Sequence, residues 1–163
     1  MLRKFFLSVI VLISFVYIYG CNQFSDSNIS NLPELKDLDV ASFEKVLAEN
    51  KGKVVLVNFF ASWCPPCKAE TPDFVATYNK FKDKDFVIIG ISIDDDLSKA
   101  KQFIAEYKIT YPTYHAKREL EEKMGVSSIP TNIFYTKDGT LYKGIVGAIS
   151  ADFLEKTIAE LSR

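Results

Sequence analysis

Cys64 and Cys67, in Trp63-Cys64-Pro65-Pro66-Cys67, are the residues of this chain best suited by type and spacing to do chemistry. Two thiols three residues apart at the start of a helix lie about one turn apart, so a disulfide can form and break with little backbone movement. The chemistry on offer is thiol-disulfide exchange, in which one thiolate attacks an external disulfide and the second resolves the mixed disulfide. The run ahead of the pair, Val54-Val55-Leu56-Val57-Asn58-Phe59-Phe60, is apolar apart from Asn58 and predicts a buried parallel strand. Pro65 and Pro66 then suit the first positions of a helix, which puts Cys64 at its N-cap and Cys67 one turn in.

A thiolate at a helix N-terminus is stabilised by the free N–H groups and the dipole, which lowers its pKa below the ordinary value of about 8.5. Pro65 and Pro66 carry no N–H, so of the first three helical amides only that of Cys67 can point at the sulfur of Cys64. The thiolate, and with it the reduced form, gains less than in a site with a free N–H between the cysteines. That argues for a reductant rather than a strong oxidant. The expected order of events has Cys64, exposed at the cap, attack a substrate disulfide, and Cys67, buried a turn below, resolve the intermediate.

Cys67 must lose its proton to do so. Glu70, three residues on, either takes that proton or only complements the helix N-terminus. Asn58 is a polar group in a buried strand and needs a partner, either a water near Cys67 or a loop. Trp63 reads as a substrate-facing platform rather than core, because it precedes an exposed cap. Ser128-Ile129-Pro130-Thr131 opens a strand, where a proline's missing N–H is tolerated. A cis bond there would turn an unpaired backbone edge toward the cysteines, although trans is the commoner X-Pro form.

The rest of the chain must position these groups. With 163 residues, 48% of them apolar, it can bury one good core, and one domain is expected. Lys and Arg total 20 against 21 Asp and Glu; without Arg3 and Lys4 of the leader, 18 stand against 21. A mildly acidic domain with no basic stripe is a poor partner for nucleic acid. Three cysteines make no disulfide scaffold, and beyond the leader Cys64, Cys67 and the lone His115 fall short of the four ligands of a structural zinc site. Neither a metal nor a cofactor is expected.

Met1 to Cys21 reads as a signal peptide, with a basic start and an uncharged apolar run from Phe5 to Tyr19, shorter than a comfortable membrane span. It ends in Ile18-Tyr19-Gly20-Cys21, which resembles a bacterial lipoprotein box with Cys21 as the lipidated residue; Tyr19 departs from the usual small residue. An uncleaved short anchor is the other reading. Residues 22–34, beginning Asn22-Gln23-Phe24-Ser25-Asp26-Ser27, read as a flexible tether, and 35–163 as the domain.

Within the domain the sequence predicts a short edge strand from Leu35 to Val40 and a helix capped by Ser42 and ending near Gly52. The cysteine helix runs to about Lys82, with Pro72 as the expected site of a kink by its missing N–H. A buried strand from Phe86 to Ile93 follows, then Asp94-Asp95-Asp96 as the N-cap of a helix over 97–107. Capping suits those acids better than Ca²⁺ binding, since no Gly turn or downstream Glu has the right spacing. Tyr111 to His115 suits a strand, in which His115 has no catalytic duty, and 117–124 a helix ending at Gly125. Thr131 to Thr136 and Leu141 to Gly147 flank the hairpin signal Lys137-Asp138-Gly139, and Ser150 caps a last helix. The fold class is α/β, a central mixed sheet flanked by helices.

Taken together, Asn58-Phe59-Phe60, Trp63-Cys64-Pro65-Pro66-Cys67, Glu70, Pro72, Ile129-Pro130-Thr131 and Lys137-Asp138-Gly139 resemble the thioredoxin fold. Within it the chain resembles the membrane-tethered, extracytoplasmic TlpA/ResA-like thiol-disulfide oxidoreductases, over about residues 35–161. An extra helix and strand at about 94–116, absent from plain thioredoxin, fits that group. The resemblance implies that Pro130 is cis, that Ile129 offers backbone to substrate, and that Glu70, paired with Asn58, has the acid-base role of thioredoxin's buried Asp. Phe60 and Ser128 depart from the commoner Trp and Gly. The expected function is therefore a lipid-anchored, monomeric reductase of protein disulfides, with apocytochromes c as possible clients and a membrane thiol relay as electron donor. The rivals are an oxidase or isomerase that introduces disulfides, told apart by the in-cell redox state of the pair, and a thiol-based metal-delivery protein, told apart by tight Cu(I) or Zn²⁺ uptake without turnover.

Overall fold

Seven strand residues in a row with no exposed side chain require cover on both faces of a sheet, and the fold supplies it. The computed structural model describes residues 32–163. The expected signal peptide, Cys21 and residues 22–31 of the expected tether lie outside them. Along the chain the elements are β1 (Lys36–Leu38), α1 (Val40–Glu49), β2 (Val54–Phe60), α2 (Pro65–Phe81), β3 (Phe86–Ser92), α3 (Leu97–Glu106), β4 (Thr113–Ala116), α4 (Arg118–Met124), β5 (Thr131–Tyr135), β6 (Leu141–Val146) and α5 (Ala151–Leu161). The strands form one mixed sheet in the order β1-β4-β3-β2-β5-β6, with β2 parallel to β3 and antiparallel to β5. This is a thioredoxin-like fold.

Alternation along β2 divides the core. Val55, Val57 and Phe59 join Val87, Ile89, Ile91 and Ile133 under Phe43 of α1 and Leu120 of α4. Val54 and Leu56 join Phe86, Ile88 and Phe134 under Phe74 of α2 and Leu154 and Ile158 of α5. Each fully buried Phe or Leu contributes roughly 1.5–3 kcal/mol by removal from water. At the C-terminal end of β2, Phe60 stacks on Phe103 of α3 with ring centroids 5.2 Å apart, so the segment after β3 packs directly behind the cysteine loop.

That segment is the expected insertion. β4 pairs with β3 on one side and β1 on the other, widening the sheet by a strand. Gly90 marks the close approach, because a Cβ there would stand 3.0 Å from both Thr113 Oγ1 and Tyr111 Cε2. The hairpin turns at Gly139 with φ 87°, Gly125 ends α4 in the left-handed region, and Ser150 caps α5.

One capping expectation needs correction. β1 ends at Leu38, so Asp39 and not Ser42 caps α1, its Oδ1 accepting from the Ser42 N–H at 2.8 Å. Of the three successive aspartates only Asp96 caps α3; Asp94 turns into the interior. α2 continues unbroken through Pro72. Among the described residues no helix is long and apolar enough to cross a membrane.

Candidate active site

β2 delivers the chain to a turn closed by the Cys64 N–H on the Ala61 carbonyl at 3.1 Å, and α2 begins immediately after it. Cys64 is the N-cap, Pro65 and Pro66 occupy N1 and N2, and the Cys67 N–H donates to the sulfur of Cys64 at 3.2 Å. With two prolines in the first turn, that amide is the only one of the first three helical N–H groups available to the sulfur. The cysteines are joined as a disulfide with their Cα atoms 5.3 Å apart.

Cys64 is not exposed as expected. It is 2% exposed and Cys67 0%, because Phe60, Ala61 and Phe103 close around the bonded pair and Ile129 packs alongside. The exposed group at the cap is Trp63, at 61%, so it does not belong to the core. Trp63 and Ile129 also line a cleft of about 460 Å³ together with Ile93, Glu121, Val126, Ser127 and Ser128. Pro130 follows Ile129 through a cis bond, and because Thr131 lies opposite Phe59, Pro130 comes level with the end of β2. Its carbonyl accepts from the Gly147 N–H at 2.8 Å.

Behind the pair, Glu70 is 3% exposed and does not simply face the helix terminus. Its Oε1 accepts from Asn58 Nδ2 at 2.9 Å; its Oε2 accepts from Asn132 Nδ2 at 3.2 Å and from the Ile149 N–H at 3.1 Å. Burial pushes its carboxyl up to about 7, with those three hydrogen bonds holding it back from rising further. The protein partners of Asn58 are thus two side chains rather than a loop. Asn58 donates to Glu70 and, at 3.0 Å, to Asn132 Oδ1, its direct neighbour across the β2–β5 ladder.

The fold therefore brings together Asn58, Trp63, Cys64, Pro65, Pro66, Cys67, Glu70, Ile129 and Pro130, while Cys21 lies outside the described residues. Sequence reasoning missed Asn132 and the Ile149 amide. Asn132 had a signal, an amide side chain directly ahead of the apolar run Ile133-Phe134-Tyr135; the Ile149 amide had none. His115 lies in β4 with its two ring nitrogens against Asp37 Oδ1 and the Asp94 carbonyl. Among the described residues no group of three or more His, Cys, Asp or Glu is placed to hold a metal ion.

The model of the Redoxin family matches residues 27–160. The thiol-disulfide oxidoreductase ResA of Oceanobacillus iheyensis is 34% identical over 117 residues, covering 71% of this chain and 61% of that protein's length. The protein of the same name from Halalkalibacterium halodurans is 27% identical over 159 residues, covering 92% and 89%. Among solved structures, a thiol:disulfide interchange protein of the thioredoxin family from Chlorobium tepidum TLS aligns with a TM-score of 0.67 and 31% identity, over 71% of this chain and 84% of that one. StoA from Bacillus subtilis aligns with a TM-score of 0.60 and 27% identity, over 67% and 84%. With its helix-capping Cys64–Cys67 pair and its six-stranded thioredoxin-like sheet, the chain belongs to the Redoxin family and groups there with the thiol-disulfide oxidoreductases.

Proposed function

We propose that this protein is a membrane-tethered, extracytoplasmic reductase of protein disulfides. The observation that carries the reading is the Cys64–Cys67 pair at the start of α2 with the buried carboxyl of Glu70 one turn beyond it, which burial pushes up to about 7. A general base poised near neutral pH suits the removal of a thiol proton at the moment of resolution.

The reaction runs in two exchanges. The Cys64 thiolate attacks a client disulfide, forming a Cys64-client bond and releasing one client thiolate. Ionised Glu70 takes the Cys67 proton, and the Cys67 thiolate attacks the Cys64 sulfur, releasing the second client thiolate and closing the pair. Two electrons pass to the client, and a membrane thiol relay restores them. Trp63 and Ile129 flank the client's approach, and Pro130 shapes it. Since Cys64 is nearly closed off in the oxidised pair, exchange with a macromolecule requires movement of the side chains packed on it, Phe103 and Ile129 among them. The poverty of N–H donors at Cys64 supports the reducing direction, and the Cys21 box supports the tether. Apocytochromes c are the proposed clients.

The test is a Cys67→Ser variant expressed in cells with alkylating quench. It should accumulate a client mixed disulfide on Cys64, identifiable by mass spectrometry, and Cys64→Ala should abolish both the adduct and turnover. A Cys64→Ala variant that still reduced clients would overturn the assignment.

A further inference from the structure

We propose that Asp94 is a positioning residue for the exchange reaction: its buried carboxylate holds the turn that presents Trp63 and Cys64. This inference rests on reading the pair as a disulfide reductase.

Asp94 follows β3 and is 1% exposed. Both its oxygens accept from the Ser62 N–H, at 3.1 and 3.0 Å, and Oδ1 accepts from the Ser62 hydroxyl at 2.6 Å. Oδ2 also accepts from the Ser92 hydroxyl at 2.8 Å. A carboxylate buried this deeply is tolerated only when donors saturate it, and such charge-assisted bonds are stronger than neutral ones. Ser62 commits both of its donors to this one group. It is also the first of the two central residues in the turn closed by Cys64 N–H on Ala61 O; Trp63 is the second, and Cys64 ends the turn as the cap of α2.

Among the described residues the turn has no other side-chain anchor of this kind. Its entry is fixed by the Ile93 N–H on the Phe60 carbonyl at 2.9 Å, its exit by α2, and its middle by Asp94. Asp94 is itself supported from the far side, where its carbonyl lies 2.9 Å from His115 Nε2, and His115 Nδ1 lies 3.0 Å from Asp37 Oδ1. Capping does not account for Asp94, since Asp96 caps α3. Asp94 is not assigned a contact with the sulfurs. It acts through Ser62, and a displacement of about 1 Å at a reacting group costs on the order of 100-fold in rate.

The competing explanation is that Asp94 only fastens the end of β3 through Ser92. Ser62→Ala and Ser92→Ala separate the two, because each removes one hydroxyl from the same carboxylate, on the turn side and on the strand side. Trp63 is the single tryptophan, so its fluorescence reports the turn directly. The full chain, reduced, is assayed for acrylamide quenching of Trp63 and for kcat and KM on a peptide disulfide, alongside urea unfolding. Ser62→Ala and Asp94→Asn should quench more readily and lose about tenfold in kcat/KM, the equivalent of one hydrogen bond to a charged group. Ser92→Ala, which leaves the bonds between Asp94 and Ser62 in place, should lose clearly less than Ser62→Ala in both readouts.

Equal effects of Ser62→Ala and Ser92→Ala, or unchanged quenching and kinetics in Ser62→Ala, would overturn the role of Asp94. Should Asp94→Asn fail to fold, the two serine variants carry the same comparison. An inactive wild type would instead remove the reductase reading, and the quenching data would still decide whether Asp94 orders the turn.

Discussion

Replacing Glu70 with Gln should remove a pH dependence of stability that the buried carboxyl imposes on the wild type. Glu70 titrates at an ordinary 4.5 in the unfolded chain and at about 7 in the fold, because burial disfavours its charge more than Asn58, Asn132 and the Ile149 amide stabilise it. The difference is worth about 3 kcal/mol. Below about pH 4.5 both states carry the proton and the penalty is absent. Between 4.5 and 7 the folded state binds more protons than the unfolded one, so stability falls as pH rises, and above 7 the full penalty is in place. Asp37, Asp39, Asp96 and Asp138 have lowered pKa values and lose their contribution only below the ordinary Asp range, outside this window. The assay is urea unfolding of the oxidised wild type and Glu70→Gln at intervals from pH 5 to 8. The wild-type curve should fall relative to the variant by on the order of 2–3 kcal/mol across that range. Curves that run parallel would show that Glu70 does not titrate there and would refute the argument for its role as base.

Other outcomes follow from the same geometry. The rate at which Cys67 resolves a preformed Cys64 mixed disulfide should rise with pH through about 7 in the wild type, and Glu70→Gln should lose that inflection, as read by stopped-flow release of a chromogenic thiol. Asn132→Ala removes a donor from Glu70 Oε2 and should move the inflection to higher pH. Gly90→Ala forces a Cβ to 3.0 Å from Thr113 and Tyr111 and should destabilise the fold by about 1–3 kcal/mol in urea, without changing the pH profile. Trp63→Ala should raise KM for a peptide disulfide and leave Tm within a degree or two, since the side chain is exposed.

The parts of the site that the sequence disclosed are those set by local chemistry. The apolar run of β2, the prolines at the start of α2 and the glycines at 125 and 139 each constrain the backbone where they stand, and each lies where expected. Partnerships across the fold were not legible in the same way. Asn58 marks itself as a buried polar residue, but its meeting with Asn132 and Glu70 depends on the antiparallel register of β2 and β5, which local pattern does not give. Asp94 looked like one cap among three because helix capping is local, whereas its real partner is Ser62, 32 residues earlier. The closure of Cys64 depends likewise on Phe103 and Ile129, brought in from the insertion and from the loop before β5. Ser42 lost the cap to Asp39 because the edge strand is shorter than its apolar pattern suggests.

The most direct test of the central claim is the reduction potential of the Cys64–Cys67 couple, measured by equilibration against thiol buffers with Trp63 fluorescence or alkylation as readout. With Pro65 and Pro66 leaving only the Cys67 amide to stabilise the thiolate, the value should lie close to the thioredoxin end of the range, about −270 mV. A value near about −120 mV, that of a strong oxidant, would contradict it.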